Sequence, residues 1–220
     1  MGYNIAIDGP AGAGKSTIAR RAAEELGYLY VDTGAMYRAV ALYMIQNKIS
    51  ADDQTAVAEA CGDVDISLRY EDGAQQVYLN GENVSGLIRS AEVSRNTSVI
   101  SGYPEVRVKL LGLQREIAAA HDVVMDGRDI GTSILPDAQL KIYLTASVHT
   151  RALRRFEELK EKGTECSLPE IEKEIEERDY RDMHREAAPL KKAEDAVLID
   201  SSDLTIEEVT QKVVDLVRGK

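Results

Sequence analysis

The sequence predicts an α/β fold: a five-stranded parallel sheet covered by helices on both faces, with a small antiparallel β insert. Three observations support it. Five short apolar segments alternate with helical patterns, a glycine-rich loop joins the first strand to the first helix, and residues 63–92 alternate apolar and polar residues. Because ligands of such sheets bind beyond the carboxyl ends of the strands, we expect the functional residues there.

Strands and helices are predicted in regular succession along the chain. The predicted strands are 3–8, 29–31, 123–126, 140–145 and 196–200. The predicted helices are 16–26, one that begins near Ala35 or Met36 and runs to 45, 52–61, 90–100, 103–120, 148–162, and two that begin after Ser167 and Thr205. Both of these last starts match the capping-box pattern, with Glu170 and Glu208 three residues on.

The segment 63–92 has the pattern of a short β meander. Residues 65–70 and 76–79 alternate in polarity, residues 71–73 indicate a turn, and Asn80-Gly81 is a strong hairpin signal before a third short strand at 82–84. So few residues bury little core, so we interpret the segment as an insertion and not as an independent domain.

Composition limits the classes of partner. The 220 residues carry a net charge of −11, which argues against a dedicated nucleic-acid binder. The two cysteines, Cys61 and Cys166, form no disulfide or zinc pattern. Neither a signal-peptide pattern nor an apolar run of membrane-spanning length is present. We therefore expect a cytoplasmic protein, monomeric, without nucleic-acid or membrane partners.

The loop Gly9–Thr17 reads Gly-Pro-Ala-Gly-Ala-Gly-Lys-Ser-Thr, the phosphate-binding P-loop pattern. Its glycines let backbone N–H groups approach phosphate oxygens, and the following helix N-terminus favours negative charge. Lys15 can reach the β- and γ-phosphates, and the Ser16 hydroxyl can bind Mg²⁺. A glycine-rich turn with a chance lysine is the alternative, but the flanking strand and helix favour nucleotide binding.

Arginines follow the other predicted strand ends. Arg128 lies in Gly127-Arg-Asp129, and Arg38 lies one turn into the helix after Asp32-Thr-Gly34. Arginine forks are well shaped for phosphate contacts. Each arginine could instead form a surface ion pair. Asp126, which ends an apolar strand, is either a carboxylate associated with Mg²⁺ or the cap of the next turn.

The helix after Ser167 begins with an apolar stripe at Ile171 and Ile175, and the stripe continues onto Arg178, Asp182 and Arg185. A solvated helix with ion pairs four residues apart would give a similar spacing. Because this row of charged residues lies on the inward face of the helix, and because the chain contains a P-loop, we favour a role of the row in phosphate binding. Arg151, Arg154 and Arg155, with the polar loop 160–167, fit equally well a mobile lid or an ordinary helix and loop.

Five motifs in this order resemble the bacterial cytidylate kinase family over essentially the whole chain: 7–17 with the P-loop, Asp32-Thr-Gly-Ala-Met-Tyr-Arg38, Val84-Ser-Gly-Leu-Ile-Arg89, Asp126-Gly-Arg-Asp-Ile-Gly-Thr132, and 177–182 continuing to 188–190. The resemblance implies a single P-loop kinase unit with three regions. These are a core (1–34, 103–150 and 190–220), a nucleoside-monophosphate region with the β insert (35–102), and a lid with flanking helices (151–189).

The resemblance further implies transfer of the ATP γ-phosphate to CMP or dCMP, with Mg²⁺, by in-line attack. Lys15, Arg128 and Arg178 would be catalytic, and Ser16 would bind the metal. The implied ATP-binding residues are Gly9, Pro10, Ala11, Gly12, Ala13, Gly14, Lys15, Ser16, Thr17, Arg154 and Arg155. The implied CMP-binding residues are Thr33, Arg38, Ser98, Arg107, Arg128, Asp129, Arg178, Asp182 and Arg185.

Other classes of nucleotide-binding protein fit the sequence less well than a cytidylate kinase. Adenylate kinases share the P-loop, and the lack of a cysteine quartet argues only against their zinc-lid form. Shikimate-type kinases lack a long insert. A GTPase would need Asn-Lys-x-Asp, and residues 47–50 fail at Ser50. A binding module without activity would not need Lys15, Ser16 and so many arginines.

Overall fold

The structure, a computed structural model, describes residues 2–71, 73–161 and 163–219. The chain forms two compact units. We call residues 31–120 the middle unit, and Gly2–Tyr30 with the residues from His121 onward the P-loop unit. Asp72 of the predicted turn and Lys162 at the predicted helix end lie outside the described residues. The three functional regions proposed from the sequence remain a prediction.

The predicted five-stranded parallel sheet, flanked by helices, is confirmed. Its strands are β1 (Asn4–Asp8), β2 (Leu29–Asp32), β6 (Val123–Gly127), β7 (Leu140–Thr145) and β8 (Val197–Asp200), in the order β2-β6-β1-β7-β8. β1 is central, and Asp8 pairs in register with Gly127 on one side and Tyr143 on the other. The carboxyl ends of these strands therefore lie together, where the P-loop leaves β1.

The described residues of the P-loop unit form the helices α1 (Lys15–Leu26), α6 (Val148–Glu161), α7 (Leu168–His184) and α8 (Ile206–Arg218). A π-helix, Ile130–Ile134, follows β6. α1 ends at Gly27, as predicted, because this residue adopts the left-handed conformation with φ 72°. The core of the unit joins apolar residues of the sheet to α1 and α8, among them Ile5, Ile18 and Val213.

The middle unit contains α2 (Thr33–Gln46), α3 (Gln54–Ala60), α4 (Ala91–Ile100) and α5 (Pro104–Ala120), with a short 3₁₀ turn at Cys61–Asp63. The predicted meander is a three-stranded antiparallel sheet of β3 (Ile66–Glu71), β4 (Ala74–Leu79) and β5 (Glu82–Asn83). Its buried residues Ile66, Val77 and Leu79 join one core with the helices. The insert therefore gains its stability from helices of the same unit.

One predicted helix start and one predicted capping box need correction, although α7 begins after Ser167 as predicted. α2 begins at Thr33, two residues earlier than expected, because the Asp32 side chain caps it by accepting a hydrogen bond from the Ala35 N–H at 2.9 Å. The capping box predicted at Ser167 is absent, since the Ser167 side chain makes no capping hydrogen bond to the described residues. Pro169 occupies the second position of α7 and lacks one of the two N–H groups that a cap could bind.

The capping box at Thr205 is confirmed. The Glu208 N–H donates to the Thr205 hydroxyl at 3.2 Å, and the Thr205 N–H donates to the Glu208 carboxylate at 2.8 Å. Among the described residues, no helix has the length and apolar character needed to cross a membrane.

These two helix starts give a matched test. Thr205→Ala should lower the free energy of unfolding by about 1 kcal/mol, because it leaves an N-terminal N–H of α8 without its cap. Ser167→Ala removes a hydroxyl that caps nothing and should cost less than half as much. Urea unfolding of both variants measures this, and equal losses would contradict the assignment of the two caps.

Candidate active site

The P-loop passes close to two neighbouring segments of its own unit. Gly9 has φ 151°, and a Cβ atom there would overlap the Leu144 carbonyl oxygen at 1.9 Å. Gly12 has φ 77° and packs against Arg151, whose Cβ would lie 3.2 Å from an added Cβ. Only glycine fits both the backbone conformation and the space at Gly9. The loop is therefore fixed in shape before any phosphate binds.

α1 begins within the P-loop pattern, at Lys15. No side chain of the described residues caps its N-terminus by a hydrogen bond. Its N-cap residue is Gly14, which has no side chain to bind the first N–H groups of the helix. Such a helix end attracts anions through its N–H groups and its partial positive charge. Lys15 is the first helical residue, is buried, and donates from Nζ to the Pro10 carbonyl at 2.7 Å.

Lys15 interacts electrostatically with charged side chains at the end of β6, in the turn after it and on α7. Burial and the nearby Arg128 lower the pKa of Lys15 well below its usual value. The Arg128 guanidinium donates through Nε to the Asp182 carboxylate at 3.0 Å. Burial alone would raise the pKa of Asp182, but Arg128 and Arg178 lower it overall. We call Lys15, Arg128, Arg178 and Asp182 the cation cluster.

Arg185 and Asp129 extend this cluster to the end of α7. Arg185 donates to the Ala188 carbonyl at 2.8 and 2.6 Å, and its Nη2 lies 3.4 Å from the buried Asp129 carboxylate. The sequence predicts that Arg178, Asp182 and Arg185 share an inward face. In the structure Asp182 is buried, Arg178 and Arg185 are half-buried, and Arg181 is exposed. The structure thus brings together the predicted residues of α1, β6 and α7 within one unit.

Ser16 and Asp126 form the oxygen pair that the predicted Mg²⁺ site requires. The Ser16 hydroxyl donates to Asp126 Oδ2 at 2.9 Å, and the Tyr30 hydroxyl donates to Oδ1 at 2.9 Å. The described residues contain no group of three or more histidine, cysteine, aspartate or glutamate side chains able to hold a metal. One hydroxyl and one carboxylate fit Mg²⁺, which takes its other ligands from phosphates and water. Asp126 therefore has the chemistry of the metal alternative, and its association with Mg²⁺ stays a prediction.

Asp8, which the sequence analysis did not single out, connects β1 to the turn after β6. Its carboxylate oxygens accept hydrogen bonds from the Ile130 and Gly131 N–H groups at 2.7 and 2.8 Å. Burial raises the pKa of Asp8 to about 6, although both N–H donors act in the opposite direction. Asp8 ends an apolar strand, as Asp126 does, so the same strand-end argument could have identified it.

Arg151 is the second residue whose position the sequence did not reveal. Its buried guanidinium donates to the Ala146 carbonyl at 3.0 Å, the Ala11 carbonyl at 2.9 Å and the Asp179 carboxylate at 2.6 Å. We call these contacts the Arg151 clasp. It joins the P-loop, the end of β7 and α7. Asp179 lies eight residues after Ile171 on the apolar stripe, which was the available signal for a buried partner.

The two other arginines of α6 make contacts inside the P-loop unit. Arg154 donates to the Ser201 carbonyl at 2.7 Å, and Arg155 pairs with Glu158 at 2.8 Å in an exposed position. Their proposed contact with ATP stays a prediction.

The middle unit holds the other predicted residues. Thr33 is buried at the start of α2. Arg38 donates to the Ser94 hydroxyl at 2.7 Å and lies 3.4 Å from the Ile88 carbonyl. The Arg107 guanidinium lies 5.7 Å from the centre of the Tyr37 ring and donates to the Ser101 carbonyl at 3.2 Å. α2, α4 and α5 therefore each contribute a polar group.

Ser98, on α4, has a buried hydroxyl oxygen that lacks a hydrogen-bond partner among the described residues. Buried hydroxyls are normally satisfied, so this atom is a candidate contact for a bound molecule.

Strand, glycine loop, uncapped helix and cation cluster together define a P-loop kinase fold. Solved structures agree on the fold: shikimate kinase from Acinetobacter baumannii has a TM-score of 0.50 at 15% identity and covers 100% of this chain and 94% of its own. An uncharacterized protein from Eubacterium ventriosum has a TM-score of 0.53 at 13% identity, with 99% of both chains covered.

Sequence comparison identifies the family. The cytidylate kinase family profile matches residues 5–219. A cytidylate kinase from Lactobacillus gasseri is 50% identical over 98% of this chain and 94% of its own. One from Caldicellulosiruptor bescii is 53% identical over 97% of this chain and 94% of its own. The chain belongs to the cytidylate kinase family.

The Arg151 clasp predicts a large difference between two arginines of one helix. Arg151→Met should lower the free energy of unfolding by about 3–5 kcal/mol, because it leaves the buried Asp179 carboxylate without its cation. Arg155→Met, one turn away, breaks only an exposed pair and should cost less than about 1 kcal/mol. Chemical denaturation of both variants tests this; similar losses would show that the clasp is not a stabilising contact.

Asp8 predicts a pH dependence. Because its folded pKa of about 6 lies above the ordinary value of 3.8, the stability it contributes is complete below pH 3.8 and is lost as the pH rises through 6. Relative to Asp8→Asn, the wild type should therefore lose about 2 kcal/mol between pH 4 and 7. Urea titrations measure this difference, with Thr210→Val, which alters no titratable group, as the control. A flat difference for Asp8→Asn would contradict the shifted pKa.

Proposed function

We propose that the protein transfers the γ-phosphate of ATP to CMP or dCMP, yielding ADP and CDP or dCDP, as its cytidylate kinase relatives are named to do. The observation that carries the proposal is the cation cluster at the end of an uncapped P-loop helix. Burial and the neighbouring Arg128 lower the pKa of Lys15, so the charged amine is poorly stabilised in the free protein. Phosphate groups would give the buried cations a negatively charged partner, which supports nucleotide binding at this site.

In the proposed mechanism, the P-loop N–H groups and Lys15 bind the β- and γ-phosphates of ATP. Arg128 and Arg178 neutralise charge on the transferring group, while Asp182 holds Arg128 in place through its 3.0 Å hydrogen bond. Ser16 and Asp126 would hold Mg²⁺, which supplies charge neutralisation and orientation of the phosphates. A CMP phosphate oxygen is ionised at neutral pH, so the in-line attack needs no strong general base.

In the same proposal the middle unit binds the acceptor. Arg38 would contact the CMP phosphate, with Thr33 beside it, whereas Ser98 and Arg107 would contact the cytosine edge. Asp129 and Arg185 of the P-loop unit complete the predicted CMP set. Cytosine presents O2 and N3 as acceptors and an amino group as donor, and uracil reverses the pattern at positions 3 and 4. A site built for cytosine therefore leaves a buried polar group unpaired with UMP.

The proposal includes closure of α6, α7 and the loop between them over ATP, which would exclude water. Arg154 and Arg155 are the groups of this segment proposed to contact the nucleotide. The protein is further proposed to act in the cytoplasm as a monomer, since both substrates are small molecules. Sedimentation velocity with and without nucleotides measures the oligomeric state.

An acceptor panel tests the function. With Mg²⁺ and ATP, ADP should form rapidly with CMP and dCMP, slowly with UMP, and not with AMP or shikimate. Coupled measurement of ADP formation gives kcat and KM for each acceptor. Activity with AMP or shikimate would retain the fold but overturn the acceptor assignment, and ADP release without an acceptor would favour a nucleotide hydrolase.

The variant Lys15→Met tests whether the activity measured in this panel depends on the P-loop lysine. Turnover should fall by at least about a hundredfold, because the cation at the transferring phosphate is lost. The variant should remain folded, since burial in the free protein already disfavours the charged amine. A thermal melt checks that the variant is folded. Full activity in a folded variant would contradict the proposed role of Lys15 at the transferring phosphate.

A further inference from the structure

The side chain of Gln75 pairs with the backbone of a single residue, Asp32. The Asp32 N–H donates to Gln75 Oε1 at 2.9 Å, and Gln75 Nε2 donates to the Asp32 carbonyl at 3.3 Å. Both residues belong to the middle unit. A side-chain amide offers the same donor and acceptor as a peptide group. Gln75 therefore pairs with Asp32 as a residue of a neighbouring strand would.

The position of Asp32 explains why such pairing is useful. Asp32 is the last residue of β2, and β2 is the outermost strand of its sheet. Outer strands leave backbone N–H and carbonyl groups without a neighbouring strand. The amide of Gln75 satisfies both groups of Asp32, which a carboxylate could not do because it lacks a donor.

Asp32 in turn fixes the start of α2. Its side chain caps the helix at the Ala35 N–H, and Thr33 is the first helical residue. Arg38 lies one turn further along the same helix and is fixed at its other end by the Ser94 hydroxyl. Arg89 also approaches the Asp32 carboxylate at 3.5 Å, but its side chain is 65% exposed. Gln75 is therefore the better-shielded contact that holds Asp32.

The next residue along β4 shows that this contact is specific to one position. Gln76 has the same side chain, but its Oε1 accepts from Asn83 Nδ2 at 3.2 Å, inside the small sheet. Successive residues of a strand point to opposite faces. One amide therefore reaches the start of α2, while its neighbour serves only the insert.

We propose that Gln75 is a positioning residue, through which the antiparallel insert holds Asp32 and so places Thr33 and Arg38 for the acceptor phosphate. The inference rests on the proposed function for the identity of that ligand. The contact itself belongs to the free protein. The insert then contributes to acceptor binding through the backbone of Asp32, without itself touching the acceptor.

Kinetics of Gln75→Glu and Gln76→Glu give the matched test. In Gln75→Glu the carboxylate can accept from the Asp32 N–H but faces the Asp32 carbonyl without a proton to donate. We expect KM for CMP to rise about tenfold, the cost of one lost buried hydrogen bond, with KM for ATP changed less than twofold. Gln76→Glu makes the same chemical change on the other face and should leave both KM values within twofold.

Hydrogen exchange measured by NMR supplies a readout without catalysis. In Gln75→Leu, exchange of the Asp32 amide should accelerate at least about tenfold, with little change at Val77 in β4; Gln76→Leu should leave the Asp32 amide unchanged. Unchanged exchange at Asp32, or faster exchange with an unchanged KM for CMP, would overturn the inference.

The outcomes separate the inference from the function on which it rests. If wild-type protein phosphorylates no cytidine nucleotide, the proposed function fails, and the exchange data alone decide whether Gln75 holds Asp32. If Gln75→Leu does not fold, Gln75→Ala, which also removes the acceptor of the Asp32 N–H, supplies the exchange measurement, and Gln75→Glu supplies the kinetics. An equal rise of both KM values would show general loosening of the protein and would also overturn the positioning role.

Discussion

The P-loop unit depends on one buried guanidinium. Arg151 bonds to two backbone carbonyls, of Ala11 and Ala146, and to the Asp179 carboxylate. A carbonyl of the P-loop and a carbonyl at the end of β7 are thus tied to α7 by a group that cannot lose its charge. α7 also carries Arg178 and Asp182. The geometry of the phosphate loop and that of the residues facing Lys15 therefore have a common support.

Charge balance explains why such support is needed. Burial lowers the pKa of Lys15 most, and the neighbouring Arg128 lowers it further. Holding these cations in a buried site is therefore costly in the free protein. Buried contacts elsewhere offset that cost, and they include the Arg151 clasp and the bonds of Asp8 to the Ile130 and Gly131 N–H groups.

The fold was largely predictable because each element has a local cause. Apolar segments predicted the five strands, Asn80-Gly81 predicted the hairpin between β4 and β5, and Gly27 predicted the end of α1. The errors arose where two local rules compete. α2 was expected to begin near Ala35 or Met36, although Asp32 caps it at Thr33, and Ser167 matched a capping box in a helix whose second residue is Pro169.

The candidate site was predictable to the extent that its residues are charged and follow strand ends. Arg128, Asp129 and the inward row on α7 were found in this way. Asp8, Arg151 and Gln75 were not, because each acts by binding backbone groups of a distant segment. Charge spacing describes side chains that face each other, and it contains no information about which carbonyl or N–H lies opposite.

These three residues share a physical role. A loop that must present its N–H groups to a ligand cannot use them to stabilise itself, so its shape has to be fixed through its remaining backbone groups. Arg151 binds the Ala11 carbonyl of the P-loop, Asp8 binds the turn that follows Arg128, and Gln75 binds the residue that caps α2. Each uses the chemistry that its target lacks: donors for carbonyls, an acceptor for N–H groups, and an amide where both are present. The charged residues proposed to contact substrate are therefore only part of what the sequence must specify, because their positions depend on side chains that bind the backbone beside them.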